Sequence, residues 1–287
     1  MPHKSHFNPV LEVEPDDLLT PEVREWSLEK YKLVGSYCDI FTSGMKSKWD
    51  QLVYIDLFAG AGLSYVKEKK KVYKNAAFIA LSLPTKFTKY ILCEQDAARF
   101  EALKRRVNRD YSHLDVELIN GDSNKNIQDV QKAIPAFAKG NTLLPFCFVD
   151  PYSLNLKFET IKTLGDKNLM DFLILQALHM DANRNFDNYI EDENTVIAEY
   201  LGLKEWRKDF EENKLYNRQN FVKFLADTYQ QQMSALGYQT AKHMHQIRSN
   251  EKNLPLYYLA FFSKHPRGEE FFKKVQKRVK PQTSLDF

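Results

Sequence analysis

Long apolar runs, a disulfide framework and an apolar leader are all missing from this sequence of 287 residues. Its longest apolar stretches, Phe172–Leu178 and Leu256–Phe262, are far shorter than the roughly 20 residues that a membrane-spanning helix needs. Only three cysteines are present. Two of them, Cys93 and Cys147, lie in apolar strand-like segments, which indicates reduced thiols used in packing. The first residues contain no apolar core of the kind that directs secretion. We therefore expect a cytoplasmic protein with no membrane partner.

The net charge is small, at +3, but it is unevenly distributed. The segment from Asp181 to Glu212 is strongly acidic, so the rest of the chain is correspondingly basic. Basic clusters lie at Lys67–Lys74, Lys104–Arg109 and Lys273–Lys280. Such clusters are suited to neutralising phosphates, although they are more often solvated surface. The charge pattern therefore leaves both a DNA or RNA substrate and an ordinary surface open.

Strand-like and helix-like segments alternate along the chain, which predicts an α/β fold with a doubly wound, mostly parallel sheet. The first predicted strand is a short apolar run rich in β-branched and aromatic residues that breaks into a glycine turn. The predicted strands are 52–58, 90–94, 115–119, 145–149 and 171–176. The predicted helices are 21–41, 76–83, 96–108, 124–139 and 158–165. In the helix over 124–139, Pro135 is a candidate end or kink.

The segment 179–218 interrupts this alternation. It is acidic and polar and longer than a normal connection, so we interpret it as a helical or irregular insertion that caps the core. After it we predict a helix over 220–236, a hairpin of strands near 238–245 and over 256–262, and a last helix over 267–280. The expected organisation is an N-terminal tail and lid helix (1–48), a cofactor-binding core (49–178), the acidic cap (179–218) and the C-terminal part of the core (219–287).

Four predicted strands end in residues suited to ligand binding, and in an open parallel sheet ligands bind at the carboxyl ends of the strands. The first strand leads into residues 56–62, Asp-Leu-Phe-Ala-Gly-Ala-Gly, which we call the glycine loop; its glycines let a ligand approach the backbone closely. The second ends in Glu94, whose carboxylate is suited to accept hydrogen bonds from both hydroxyls of a ribose. Glu94 follows Asp56 by 38 residues, more than the roughly 20 expected after a glycine motif, and we interpret the surplus as a basic linker, Lys67–Lys74. The third ends at Asp122, which is suited to an adenine amino group, and the fourth is followed by Asp150-Pro151-Tyr152.

This combination resembles the class I S-adenosylmethionine-dependent methyltransferases. The glycine loop lacks the Gly-x-Gly-x-x-Gly spacing of dinucleotide sites, which argues against NAD. The predicted hairpin also matches that fold, in which it adds one antiparallel strand to the sheet. The resemblance implies a Rossmann-like fold with a seven-stranded sheet, S-adenosylmethionine as cofactor and S-adenosylhomocysteine as product. The cofactor-binding residues that it implies are Asp56, Phe58, Ala59, Gly60, Gly62, Glu94, Gln95 and Asp122.

A narrower resemblance is to the three-Cys-motif partner protein (TcmP) family. That family is named for its association with a protein that carries a three-cysteine motif, and this chain has no such cluster of its own. The resemblance implies the methyltransferase-like fold and says much less about the substrate. The stretches that carry it are Trp26–Tyr37, Tyr54–Gly60, Ile91–Glu94, Phe148–Tyr152, Asn183–Asn185 and Leu256–Pro266.

The triplet Asp150, Pro151 and Tyr152 supplies the candidate catalytic residues. It resembles the Asp/Asn-Pro-Pro-aromatic motif of methyltransferases that act on adenine or cytosine amino groups, with one proline missing. In that motif the acid accepts a hydrogen bond from the amine and the aromatic ring stacks on the base. The alternative interpretation of the triplet is a tight turn that ends the strand.

The predicted function is therefore methyl transfer to an amino nitrogen of a nucleic-acid base. One alternative is a methyltransferase-like binding module that acts through a three-cysteine-motif partner protein, with the acidic cap as the docking surface. Another is a methyltransferase for a small molecule or a protein. No metal site is predicted, because His243 and His245 share one face of a predicted strand without an evident third ligand.

Overall fold

A computed structural model of the protein describes residues 7–166, 169–212, 218–239 and 244–279. The backbone divides into two compact units. The first runs up to Val149 and includes the segment that begins at Glu270, and the second spans Asp150–Glu269. This division differs from the four-part organisation expected from the sequence.

The first unit is built on four parallel strands: β3 (Gln51–Asp56), β6 (Lys89–Glu94), β7 (Val116–Asn120) and β8 (Leu143–Val149). They lie in the order β8–β3–β6–β7. The two inner strands, β3 and β6, are buried over most of their length, as their continuous apolar sequences predict. The helices of this unit are α1 (Ser27–Met45), α2 (Ala76–Leu81), α3 (Ala97–Asp110) and α4 (Ile127–Ala133).

Two helices in this unit are shorter than their predicted ranges, and one of them ends where Pro135 was the candidate end. The helix predicted over 21–41 begins only at Ser27, because Glu22–Val23 forms a short strand, β2. The helix predicted over 124–139 ends at Ala133, because Ile134 is extended. Extended backbone is what the residue before a proline favours, and Pro135 follows directly.

A β-hairpin follows the glycine loop, where the sequence suggested only a basic linker. Its strands are β4 (Leu63–Val66) and β5 (Lys71–Lys74). They join β1 (Glu12–Val13) and β2 in a second sheet with the order β1–β5–β4–β2. The linker interpretation was wrong because the alternation of Lys71 to Lys74 is only four residues long and dominated by charge. The hairpin accounts for the long spacing between Asp56 and Glu94.

The charges of the hairpin are compensated by the N-terminal segment. Three of its lysines and one of its glutamates form ion pairs with residues that precede α1, so much of this basic cluster is already neutralised. The pairs are Lys67–Glu22 at 3.0 Å, Lys69–Glu25 at 2.7 Å, Lys71–Glu12 at 2.7 Å and Arg24–Glu68 at 3.1 Å.

The second unit contains three antiparallel strands: β9 (Asp171–Gln176), β10 (His245–Arg248) and β11 (Pro255–Phe262). Strand β11 pairs with both of the others. The full strand order is β10–β11–β9–β8–β3–β6–β7, which confirms the doubly wound, mostly parallel seven-stranded sheet with an antiparallel C-terminal hairpin. The strand predicted near 238–245 was displaced, since β10 begins only at His245; residues 240–243, and with them His243, lie outside the described residues.

The acidic segment after β9 is helical and has an aromatic interior. It forms a π-helix (Leu178–Ala182), α6 (Phe186–Tyr189), α7 (Val196–Leu201) and α8 (Trp206–Glu212). The other helices of the C-terminal half are α5 (Phe158–Asp166), α9 (Arg218–Ala235) and α10 (Pro266–Val279). Trp206 and Phe210 are fully buried and pack against Phe221 and Phe224 of α9. Most acidic side chains of this segment are exposed, whereas its apolar face is part of the core.

None of the described helices is both long enough and apolar enough to cross a membrane.

Candidate functional site

The glycine loop needs glycine at two positions. Gly60 has a φ of +63° and Gly62 a φ of +85°, in the left-handed region that other residues rarely adopt. A Cβ atom on Gly62 would lie 2.5 Å from Cε1 of Phe78, so a side chain there would also have to displace the Phe78 ring. The loop sequence is therefore dictated by close packing as much as by access for a ligand.

Asp56 supports the glycine loop from inside the protein. Only 1% of its surface is exposed. Its carboxylate accepts a hydrogen bond from the Phe58 amide at 3.1 Å and another from the Tyr54 hydroxyl at 3.0 Å. The structure thus places Asp56 in the turn that starts the loop, with Phe58 half-buried beyond it.

Three side chains hold three successive backbone groups of the loop. The side-chain amide of Asn75 donates to the Ala59 carbonyl at 2.7 Å. The Gly60 amide donates to Oε2 of Glu94 at 2.8 Å. The guanidinium of Arg106 donates to the Ala61 carbonyl at 2.6 Å. The sequence analysis identified Glu94 but missed Asn75 and Arg106.

Glu94 lies at the carboxyl end of β6 and retains acceptor capacity. Its Oε1 accepts a hydrogen bond from the Asp96 amide at 2.8 Å, in addition to the bond from Gly60. Each carboxylate oxygen has two lone pairs, so two acceptor positions remain after these bonds. Two such positions on one carboxylate match the vicinal hydroxyls of a ribose. The neighbouring Gln95 is exposed.

Asp122 lies beside Glu94 in the sheet. The amide of Gly121 donates to the backbone carbonyl of Glu94 at 3.0 Å, which joins the ends of β6 and β7. Oδ1 of Asp122 accepts a hydrogen bond from the Asn124 amide at 2.8 Å, and its Oδ2 has no partner among the described residues. Asp122 is half-buried, so this second oxygen fits the amino group of an adenine.

The three predicted carboxylates all act electrostatically on one thiol, that of Cys93. Burial raises the pKa of Cys93 to about 12. The further causes are the negative charges of Glu94, Asp56 and Asp122. The structure therefore brings together three side chains that the sequence analysis assigned to one site, and the site is acidic.

The three cysteines are packing residues of the interior. Cys38, Cys93 and Cys147 are buried free thiols, and burial raises the pKa of Cys38 and of Cys147 well above the usual value. Among the described residues, no group of three His, Cys, Asp or Glu side chains has the arrangement of a metal site.

The candidate catalytic triplet begins directly after β8. That strand pairs with β3 so that Phe148 lies opposite Asp56, and the Leu57 amide donates to the Phe148 carbonyl at 3.2 Å. Asp150 is half-buried and Pro151 is buried. Tyr152 is 74% exposed, which is unusual for a large aromatic side chain.

Asp181 anchors the segment that follows the triplet, and the sequence analysis did not single it out. This buried residue of the π-helix accepts a hydrogen bond from the Leu154 amide at 2.7 Å. Its carboxylate also accepts hydrogen bonds from the side-chain amide of Asn185 at 2.6 Å and from the Tyr189 hydroxyl at 2.9 Å. Burial, together with the hydrogen bond to Asp181, raises the pKa of Tyr189 well above its usual value. An acid directly after the fifth strand was the available sequence signal.

Comparisons with known proteins add resemblance at the level of fold only. Solved structures that resemble the chain include protein LPL1258 from Legionella pneumophila (10% identity, TM-score 0.48, 88% of this chain and 93% of that one). Another is TYW2 from P. horikoshii in complex with MeSAdo (11% identity, TM-score 0.42, 90% of this chain and 72% of that one). A third is precorrin-6y C5,15-methyltransferase from Geobacter metallireducens (10% identity, TM-score 0.40, 89% of this chain and 98% of that one). No protein-family model and no curated protein matches the chain.

The class of fold follows from the strand order and the hairpin: this is a doubly wound, Rossmann-like α/β fold with an antiparallel C-terminal hairpin. Membership of the TcmP family stays a prediction, because no family model matches.

Proposed function

We propose that the protein is an S-adenosylmethionine-dependent methyltransferase. The observation that carries this proposal is the hydrogen bond from the Gly60 amide to the Glu94 carboxylate. This bond joins the glycine loop to the end of the neighbouring strand. The loop backbone, which a ligand can approach closely, and the Glu94 carboxylate, which is suited to a ribose diol, therefore belong to one site.

The cofactor-binding residues divide by chemistry. The backbone of Phe58, Ala59 and Gly60 faces the amino-acid end of the cofactor, and Asp56 and Gly62 shape that backbone from below. Glu94 accepts hydrogen bonds from the ribose hydroxyls. The side chains that follow along the sheet edge, Gln95 and Asp122, border the adenine. When bound, the cofactor supplies an electrophilic methyl group on a positively charged sulfur, which the acidic site favours electrostatically.

The acceptor is held by the triplet after β8. The Asp150 carboxylate accepts a hydrogen bond from the amine, which orients the nitrogen lone pair for attack. Pro151 is buried and rigid, and it restricts the backbone between the two contacts. The exposed ring of Tyr152 stacks on the planar acceptor, as aromatic side chains do on extruded bases.

A nucleic-acid substrate is proposed on the basis of α3. Lys104 and Arg105 are exposed on this helix and form no ion pair with another described residue. The lysines of the hairpin are a poorer candidate for phosphate contacts, because the N-terminal glutamates already pair with them.

Two measurements test the proposed function. Calorimetric titration with S-adenosylhomocysteine is expected to show binding, and its absence would contradict the proposal. A radiolabelled methyl-transfer screen across DNA, RNA, protein and small molecules then identifies the acceptor. Binding of S-adenosylhomocysteine without transfer to any acceptor, alone or with a three-cysteine-motif protein, would favour the binding-module alternative.

The nucleic-acid part has its own test. Replacing Lys104 and Arg105 by Gln is expected to weaken nucleic-acid binding and to lower the salt slope by about 1 per residue. The matched control replaces Lys132 and Lys162, which are exposed and paired with acids one helical turn away. An equal effect of both double variants would refute a specific role for α3.

A further inference from the structure

Arg106 is a fully buried arginine whose guanidinium is surrounded by acceptors from the N-terminal segment. None of its side chain is exposed. It donates from Nε to Asp16 at 2.9 Å, and from Nη2 to the second oxygen of Asp16. It also donates to the Leu18 and Leu19 carbonyls at 3.2 and 2.9 Å and to the Thr20 hydroxyl at 2.9 Å. We call residues 16–20 the N-terminal strap.

The same guanidinium holds the glycine loop. Its Nη1 donates both to Leu19 of the strap and to the carbonyl of Ala61, which lies between the two left-handed glycines. A buried guanidinium needs a full set of acceptors and a compensating carboxylate. Without Asp16, Arg106 would have to move towards solvent, and the Ala61 carbonyl would lose its donor.

We infer that the N-terminal strap is part of the cofactor site. Arg106 is the positioning residue through which the strap fixes the conformation of the glycine loop. The inference rests on the proposed function. Asp16 keeps Arg106 in place, Arg106 orients the Ala61 carbonyl, and the neighbouring Gly60 amide stays directed at Glu94. Cofactor affinity therefore depends on a segment about 40 residues before the loop, although the strap needs no contact with the cofactor itself.

The experiment uses the full-length protein with Asp16→Asn, which keeps the shape of the side chain and removes its charge. The matched control is Arg207→Lys. Arg207 also donates to several backbone carbonyls, among them those of Ile190 at 3.1 Å and Asn194 at 2.8 Å, but it lies in the second unit. Affinity for S-adenosylhomocysteine is measured by calorimetry, and hydrogen exchange of the glycine-loop amides by mass spectrometry or NMR.

Asp16→Asn is expected to weaken S-adenosylhomocysteine binding by at least about tenfold and to speed exchange of the loop amides by a similar factor, because a tenfold change needs only one lost charge-assisted hydrogen bond. Arg207→Lys is expected to change neither. The inference is overturned if the hydrogen-exchange rate of the glycine-loop amides is unchanged in a folded Asp16→Asn variant. It is also overturned if Arg207→Lys raises that rate by the same factor. If the unaltered protein binds no S-adenosylhomocysteine, the proposed function fails and with it the assignment of the strap to a cofactor site. The exchange measurement then decides separately whether Asp16 and Arg106 position the glycine loop.

A milder variant, Thr20→Val, serves as the second test if Asp16→Asn does not fold. Thr20→Val removes a single hydrogen bond to Arg106 and keeps the shape of the side chain. It is expected to show the same two effects at a few-fold level, and a folded Thr20→Val variant with normal loop exchange overturns the inference.

Discussion

The Glu94 carboxylate accepts a hydrogen bond from the amide of Gly60 at 2.8 Å, across 34 residues of sequence. The bond orients the carboxylate before any ligand binds, because Oε1 is held at the same time by the Asp96 amide. A ligand that uses the remaining lone pairs meets an ordered acceptor and loses less entropy on binding.

Replacing Glu94 by Ala is expected to weaken S-adenosylhomocysteine binding strongly. Loss of the two ribose hydrogen bonds costs on the order of 1.5–3 kcal/mol each, since both are charge-assisted. Calorimetry measures the change. The control is Glu117→Ala, which removes an exposed carboxylate from the neighbouring strand β7. An unchanged affinity in Glu94→Ala would exclude Glu94 from the site.

Replacing Asp150 by Ala is expected to abolish methyl transfer and to leave S-adenosylhomocysteine affinity within a few-fold. The reason is that the residues assigned to the cofactor lie at other strand ends. Single-turnover transfer of a radiolabelled methyl group is compared with calorimetry on the same preparation. Full turnover in the variant would show that the triplet is a structural turn.

Tyr152 tests whether the acceptor is stacked. Tyr152→Ala is expected to weaken acceptor binding by about 1–3 kcal/mol, the usual loss for a base–aromatic stack. Tyr152→Phe should be nearly silent, because it keeps the ring. Acceptor KM and kcat are measured for both variants, and a large loss in Tyr152→Phe would point to a role for the hydroxyl instead.

Gly62→Ala is expected to destabilise the protein beyond the cost of its backbone conformation. The added Cβ would meet Phe78 at 2.5 Å. Gly140→Ala is the matched control, since Gly140 has a similar φ of +83° and nothing within 4 Å of the added Cβ. Urea unfolding should show an excess loss of about 1–3 kcal/mol for Gly62→Ala, the usual cost of overpacking. Equal losses would mean that Phe78 moves aside freely.

Asp16 makes stability depend on pH in the acidic range. The hydrogen bonds from Arg106 lower the pKa of Asp16 from 3.8 to about 2 in the folded protein. A carboxyl with a lowered folded pKa stabilises the fold fully above its unfolded pKa, and this contribution is lost as the pH falls through the folded value. The difference between these two pKa values corresponds to at most about 2.5 kcal/mol. The stability difference between the unaltered protein and Asp16→Asn, measured by urea unfolding, should therefore shrink between about pH 4 and pH 2. A difference that stays constant over this range would contradict the ion pair.

Much of the fold was predictable because its signals are local. The apolar runs that became β3, β6, β8 and β9 are each bounded by polar or glycine residues, and strand position follows from such patterns alone. The hairpin after the glycine loop was not predictable in the same way. Its two strands, Leu63–Val66 and Lys71–Lys74, are only four residues long, and they are held in a sheet by partners from the N-terminal segment.

The sequence by itself determined the doubly wound sheet and the convergence of Asp56, Glu94 and Asp122, because residues at the carboxyl ends of adjacent parallel strands meet at one edge. Only the tertiary structure decided which side chains hold the loops of each unit in shape. Arg106 reaches Ala61 across 45 residues, and Asp181 reaches Leu154 across 27. Such contacts depend on how separate elements pack, and a buried polar side chain leaves no periodic signal in the sequence that would reveal its partner.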